Sequence, residues 1–246
     1  MSESLRLAAV HFTPALGARD ENRAALLEFA AEAARGADLV VLPELATTGF
    51  CLAPDQADAL AEPADGPTAR ALAALARAAQ VVLACGLCLR EPDGTLRNAQ
   101  LLFDADGELA SVYAKHHLWG SDLAWALAGR RPGAVARTRL GPLAQLICAD
   151  LGHPRTVAGL ARERPRALCF STAWVGEGEP LPLSWQVALR LLDPAPLVIA
   201  NRGGAEEWAG EEVLFDDPSA VLAYRAGGAL GAREEGPYVV RWSYDA

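Results

Sequence analysis

LRLAAVHF (Leu5 to Phe12) is an apolar-rich run that predicts a strand. A helix follows from about Asp20 to Arg35, with Gly36 as its stop signal. DLVVLPE (Asp38 to Glu44) is short and almost wholly apolar, as expected of a strand buried on both faces. A long loop rich in Ala, Asp and Pro leads to a second helix over about Thr68 to Ala79. The pattern then changes. VVLACGLCLRE, RNAQLLFD and ELASVYA predict three strands, and the turn sequences PDGT and ADG make them antiparallel neighbours. AVARTRL and LAQLIC form another pair joined at Gly-Pro, followed by a helix near Pro154 to Arg164 and the strand ALCFSTA. A helix around Leu183 to Leu192, the strand PLVIAN, and the strands EVLFD, AVLAYR and YVVRWSY complete the chain, with DDPS between EVLFD and AVLAYR. Helix-linked strands mixed with hairpins imply mixed sheets, each covered by helices on one face, in a single domain spanning residues 1–246.

Composition narrows the function. The 246 residues are 52% hydrophobic, enough for a substantial core. A net charge of −9 and the lack of a basic stripe argue against a nucleic-acid partner. No apolar run approaches the ~18 residues that span a bilayer, and no charged segment followed by an apolar one opens the chain. Five cysteines in no disulfide-like spacing fit a reduced compartment. The expectation is a soluble, cytoplasmic protein with no membrane partner. One further count is unusual: Lys115, in YAKHHLWGSD, is the only lysine among 22 basic residues. Either one lysine codon survived by chance, or a site there needs a compact ammonium rather than a planar guanidinium.

Three apolar strands end in polar residues, Glu44, Cys148 and Asn201, and ligands of open α/β sheets gather at such ends. Each also has a plain structural reading, as a solvent-facing carboxylate, a small core thiol and a turn or cap. Cys148 has the richest setting, since ICADLGHPR passes from strand through a tight turn into a helix near Pro154. A thiol at the positive end of a helix is expected to favour thiolate. Cys169 lies within a strand, and Cys51 follows the Glu44 strand, where it either lines a pocket or packs. Cys85 and Cys88 form a CxxC, but on a strand their side chains face opposite ways, so the pair is expected to be inert. His116, His117 or His153 would offer a Cys–His nucleophile pair as a rival arrangement. Four histidines without ligand spacing make a metal centre an unfavoured reading.

LVVLPELATTGF, YAKHHLWG and LICADLGHP, in that order and separation, resemble the nitrilase superfamily of carbon–nitrogen hydrolases. LAAVHFTP, DADGELASVY and VIANRGG fit the same family, so the resemblance spans nearly the whole chain. It implies a four-layer α-β-β-α sandwich with two mixed β-sheets, assembled as a homodimer or larger homo-oligomer and needing no cofactor. It also implies a catalytic glutamate, lysine and cysteine, which carry over as Glu44, Lys115 and Cys148. Cys148 would attack an amide, carbamoyl or nitrile carbon, with Glu44 moving protons. Lys115 and the Ala149 N–H would stabilise the oxyanion. Asp122 and Asn201 join Ala149 as expected substrate-binding residues.

Several positions depart from the family pattern. Asp122 stands where many members have a second glutamate, and its side chain is shorter by one carbon–carbon bond of about 1.5 Å. Misplacements near 1 Å can cost ~10²-fold in rate. If Asp122 is an imperfect stand-in, Asp122→Glu should preserve or raise activity. Ala149 replaces a common aromatic residue, GHPR replaces the usual stretch after the cysteine, and the late glycine- and serine-rich segment reads WAGEEVLFDDP. The expected function is a thiol amidohydrolase acting on a small non-peptide C–N bond. The alternative is a degenerate member that binds a small metabolite or protein partner without turnover. Arg130, Arg131, Arg155 and Arg202 suggest a carboxylate on the substrate, though surface or interface charge explains each one equally well.

Overall fold

The computed structural model describes residues 4–175, 182–215, 219–223, 229–230 and 238–244. Strand β1 (Leu5–His11) alternates between two buried faces: Ala8 and Val10 pack with helix α1 (Arg19–Ala34), while Leu7 and Ala9 face the other way. Because both faces are dry, the sequence shows no polar–apolar alternation there. Strand β2 (Leu39–Val41) is shorter than the predicted Asp38–Glu44, because the chain turns at Pro43 and Leu45 adopts a left-handed φ of 45°. Helix α2 (Pro54–Leu60) lies in the stretch read as a loop, with Pro54 in its first turn. Helix α3 (Pro67–Ala79) matches its prediction.

Strands β3 (Val82–Arg90), β4 (Leu96–Phe103) and β5 (Leu109–Ala114) form the expected antiparallel meander. A short helix, α4 (Asp122–Trp125), was not predicted. Strands β6 (Ala134–Thr138) and β7 (Gly141–Ile147) pair antiparallel. Helix α5 (Pro154–Ala161), strand β8 (Ala167–Thr172), helix α6 (Leu183–Leu192) and strand β9 (Leu197–Asn201) follow as expected. The tail holds β10 (Ala205–Trp208), β11 (Glu211–Leu214), β12 (Ala220–Leu222), β13 (Ala229–Leu230) and β14 (Tyr238–Tyr244). Of the predicted tail segments, Asp216–Pro218 and Tyr224–Arg225 lie outside the described residues.

The strands form two mixed six-stranded sheets, ordered β14-β1-β2-β3-β4-β5 and β13-β12-β9-β8-β7-β6, with β10 and β11 as a separate hairpin. Their inner faces meet through Leu7, Val41, Val82, Leu143, Cys169 and Val198. The outer face of the first sheet packs on α1 and α3 through Leu26, Ala30, Leu72 and Ala76. That of the second packs on α5 and α6 through Val157, Leu160, Trp185 and Leu189. This is the α-β-β-α order that the resemblance implies. Among the described residues no helix is long and apolar enough to cross a membrane.

Candidate active site

Glu44 sits just past β2, where the chain folds across β3. Gly86 permits that crossing: a Cβ there would lie 2.5 Å from the Glu44 Cα and 2.7 Å from the Pro43 carbonyl oxygen. The glycine inside CGLC therefore matters more to the site than its two cysteines. Cys85 packs under the helices of the first sheet, and Cys88 points to the opposite side, among Leu45, Phe50 and Ala57.

Lys115 follows β5 and is held through its backbone. Its N–H donates to the Asn98 carbonyl (2.9 Å), and its own carbonyl accepts from the Gly129 N–H (2.8 Å). Its ammonium donates to Glu44 Oε1 at 2.7 Å and to Asp122 Oδ2 at 2.6 Å, and all three side chains are fully buried. Asn98 closes the ring, its Nδ2 donating to Glu44 Oε1 (2.7 Å) and Asp122 Oδ1 (3.0 Å). The Phe50 ring covers the ammonium, with Nζ 5.5 Å from its centroid. Asp122, the first residue of α4, therefore reaches the lysine despite its shorter side chain.

Cys148 ends β7 in a left-handed conformation (φ 43°) and opens a single 3-10 turn, Cys148–Gly152. Such a φ is unusual for a residue with a Cβ and marks a sharp elbow. Asp150 ties the elbow to the lysine loop. Its carboxylate accepts from Tyr113 Oη (2.7 Å), the His117 N–H (2.8 Å) and the Ile147 N–H (3.3 Å), and it pairs with His117 Nδ1 (2.9 Å). The Ala173 peptide joins the remaining parts: its N–H donates to Glu44 Oε2 (2.7 Å), and its carbonyl lies 3.9 Å from Cys148 Sγ.

The electrostatics correct one expectation. Cys148 is not set up as a resting thiolate: burial, and then the Glu44 charge, push its thiol up to about 12, with Lys115 opposing. The short 3-10 turn does not offset that burial. Glu44 is itself raised, first by burial and then by Asp122, against the pull of Lys115 and Asn98. Burial would lower Lys115, but Asp122 and Glu44 outweigh it and hold the ammonium well above its ordinary value. One lysine thus bridges two acidic side chains beside a thiol whose ionisation burial disfavours.

Other candidates take different places. The Asn201 side chain binds the backbone of Trp174, accepting from its N–H at 2.9 Å, one residue beyond Ala173. Arg202 is buried and paired with Glu206 rather than facing a crevice, while Arg130, Arg131 and Arg155 are exposed. His117 engages Asp150 through Nδ1 and stacks on His153 with centroids 3.4 Å apart. Ala149 lies in the first turn after Cys148. Sequence reasoning missed Asn98, Asp150 and Ala173. Only Asn98 left a signal: with Gln100 it places two amides on one face of strand β4.

Fold and site together define the class, the nitrilase superfamily of carbon–nitrogen hydrolases. The carbon–nitrogen hydrolase family model matches residues 6–192, and the chain belongs to that family. It is 36% identical over 141 residues to a Pseudomonas protegens protein described as a hydrolase in the pqqF 5′ region, covering 57% of this chain and 50% of that one. The chain thus spans half the length of that relative. It is 28% identical over 250 residues to the 2-oxoglutaramate amidase of Bacillus subtilis, covering 97% of this chain and 90% of the relative. A variant of the amidase from Nesterenkonia sp. AN1, solved with acrylamide joined by Michael addition at its active-site cysteine, superposes with a TM-score of 0.78. The two are 25% identical, over 98% of this chain and 93% of that one.

Proposed function

We propose that the protein is a thiol amidohydrolase that cleaves a small non-peptide amide through an acyl-enzyme on Cys148. The observation that carries this reading is the convergence of Glu44 and Cys148 on the Ala173 peptide, with Lys115 bound to Glu44. A buried thiol that resists ionisation needs a base, and Glu44 is the carboxylate whose charge acts on it most. Glu44 takes the thiol proton as sulfur bonds to the carbonyl carbon. Lys115 and the Ala149 N–H stabilise the oxyanion, a contribution of about 3–4 kcal/mol per donor. Glu44 then protonates the leaving nitrogen, the C–N bond breaks, and a thioester remains. Water attacks it with Glu44 as base, releasing the acid and returning the proton to sulfur.

Asp122 and Asn201 act in this scheme as supports, for Lys115 and for the Trp174 backbone, rather than as contacts to substrate. With Arg202 neutralised by Glu206, the sequence-based case for a carboxylated substrate weakens. Aromatic rings lie near the reacting groups, Phe50 over Lys115 and Trp174 packed near Cys148, and they favour a small uncharged acyl group. Cytoplasmic residence and homo-oligomeric assembly belong to the same proposal, testable by fractionation and light scattering. Ammonia release from aliphatic amides, ω-amides, carbamoyl amines and nitriles, with carbon dioxide measured in parallel, tests the function. Turnover of short aliphatic amides without carbon dioxide is expected. No turnover of any of them, with Cys148 inert to alkylation, would favour the non-catalytic binding reading.

A further inference from the structure

We propose that Asn98 is a positioning residue of this site, clamping Glu44 and Asp122 into one carboxylate pair through a single amide nitrogen. Its Nδ2 carries two protons and has two acceptors, Glu44 Oε1 at 2.7 Å and Asp122 Oδ1 at 3.0 Å. Lys115 bridges the same two carboxylates from its own position, so two donors hold both acids. The amide's orientation is dictated by this setting. Turning it over would aim Oδ1 at two carboxylate oxygens. As it stands, Oδ1 is buried without a hydrogen-bond partner, a cost accepted in exchange for two charge-assisted bonds on the nitrogen. The Asn98 carbonyl also receives the Lys115 N–H, so one residue sets the positions of the base, the cation and the second acid. Gln100, two residues along the same face, donates instead to Ser171 Oγ at 2.7 Å, so the clamp is particular to Asn98.

The chemical consequence follows from charge balance and rests on the general-base role proposed for Glu44. The titratable groups facing Glu44 are Lys115 after β5, Asp122 on α4 and Cys148 after β7. With Asn98 in place, its two N–H bonds add to the single ammonium in favouring the charged form of both acids. Without those bonds the ammonium acts alone, and Glu44 holds its proton to higher pH. Neighbouring charges and hydrogen bonds of this kind move a carboxylate by about 1–3 pH units.

The test is the pH profile of Cys148 alkylation by iodoacetamide in the full chain, read by peptide mapping. It needs no substrate, so it stands even if the amidase reading fails, and that failure would show separately as an absence of ammonia release. Asn98→Ala should move the acid limb up by about one unit, roughly tenfold slower alkylation on that side. Asn98→Asp keeps the shape, removes the donor and adds a carboxylate, so its shift should be at least as large. Adding Asp122→Asn to Asn98→Ala removes the second negative charge and should bring the limb back down. Thermal melts identify any variant that does not fold, and the isosteric Asn98→Asp serves where Asn98→Ala is lost. An acid limb unmoved in folded Asn98→Ala or Asn98→Asp overturns the proposal, as does a shift that Asp122→Asn leaves in place.

Discussion

Among the described residues, Arg202–Glu206 and Glu44–Asp122–Lys115 are two buried charge clusters built on opposite principles. Arg202 and Glu206 form a neutral pair whose remaining groups are satisfied. Glu206 also accepts the Phe50 and Cys51 N–H groups (3.0 and 2.8 Å), and the guanidinium lies 4.3 Å from the Phe215 centroid. Glu44, Asp122 and Lys115 are unbalanced, two acids to one base, beside a thiol pushed up to about 12 by burial and then by Glu44, with Lys115 opposing. A balanced, saturated pair fixes a loop, here the one that carries Phe50 over Lys115. An unbalanced one leaves a proton to be moved. Burial and ion pairing alone would rank the two clusters together; charge count and the neighbouring Cys148 thiol separate them.

The comparison breaks first at Lys115. Lys115→Arg should abolish turnover in a protein that still folds, since a planar guanidinium cannot replace a compact ammonium held by two carboxylates beside an oxyanion. Near wild-type kcat would refute its role. Arg202→Met should do the reverse: stranding Glu206 should cost about 3–5 kcal/mol of stability in denaturant melts, with kcat within a few-fold of wild type well below the transition. Asp122→Glu comes next. Asp122 already makes contacts of 2.6 and 3.0 Å with no exposed surface, so the longer side chain must displace the lysine. A kcat loss of about 10²-fold is expected, the reverse of what its departure from the family pattern suggested.

The smallest effect concerns an ion pair outside both clusters. Burial would raise Asp38, but hydrogen bonds from the Arg6 side chain and backbone, and its charge, leave it below its ordinary value. A depressed carboxylate contributes stability above its unfolded pKa and loses it as pH falls through the folded one. Because Arg6 is mostly exposed, Arg6→Ala should cost only about 0.2–1 kcal/mol at neutral pH, and the difference should vanish in acid.

The mixed sheets with helices on one face were legible because strand-length apolar runs, turn dipeptides and helix stops agree with one another, while the four-layer order came from the family resemblance. Glu44, Lys115 and Cys148 stood out as polar residues in apolar surroundings, but only the resemblance joined them into one site. What escaped were features set by how the folded chain packs rather than by residue pattern. The ionisation of Cys148 depends on burial beside Glu44, over a hundred residues away in the chain, so a local elbow argument gave the wrong direction. Arg202 looked free because its partner Glu206 counts as buried only once the β10–β11 hairpin folds back. Helix α4 is a single turn, too short for periodicity to reveal, yet it opens with the aspartate that binds Lys115.

The central claim is that Cys148 carries the acyl group and Glu44 moves its proton. Incubating the protein with a turned-over amide, quenching in acid and mapping the peptides tests it most directly. An acyl mass is expected on Cys148 alone among the five cysteines, with ammonia release lost in Cys148→Ala and slowed about 10²–10⁴-fold in Glu44→Gln. An acyl group mapped to another residue, or ammonia released at the wild-type rate by Cys148→Ala, would contradict it.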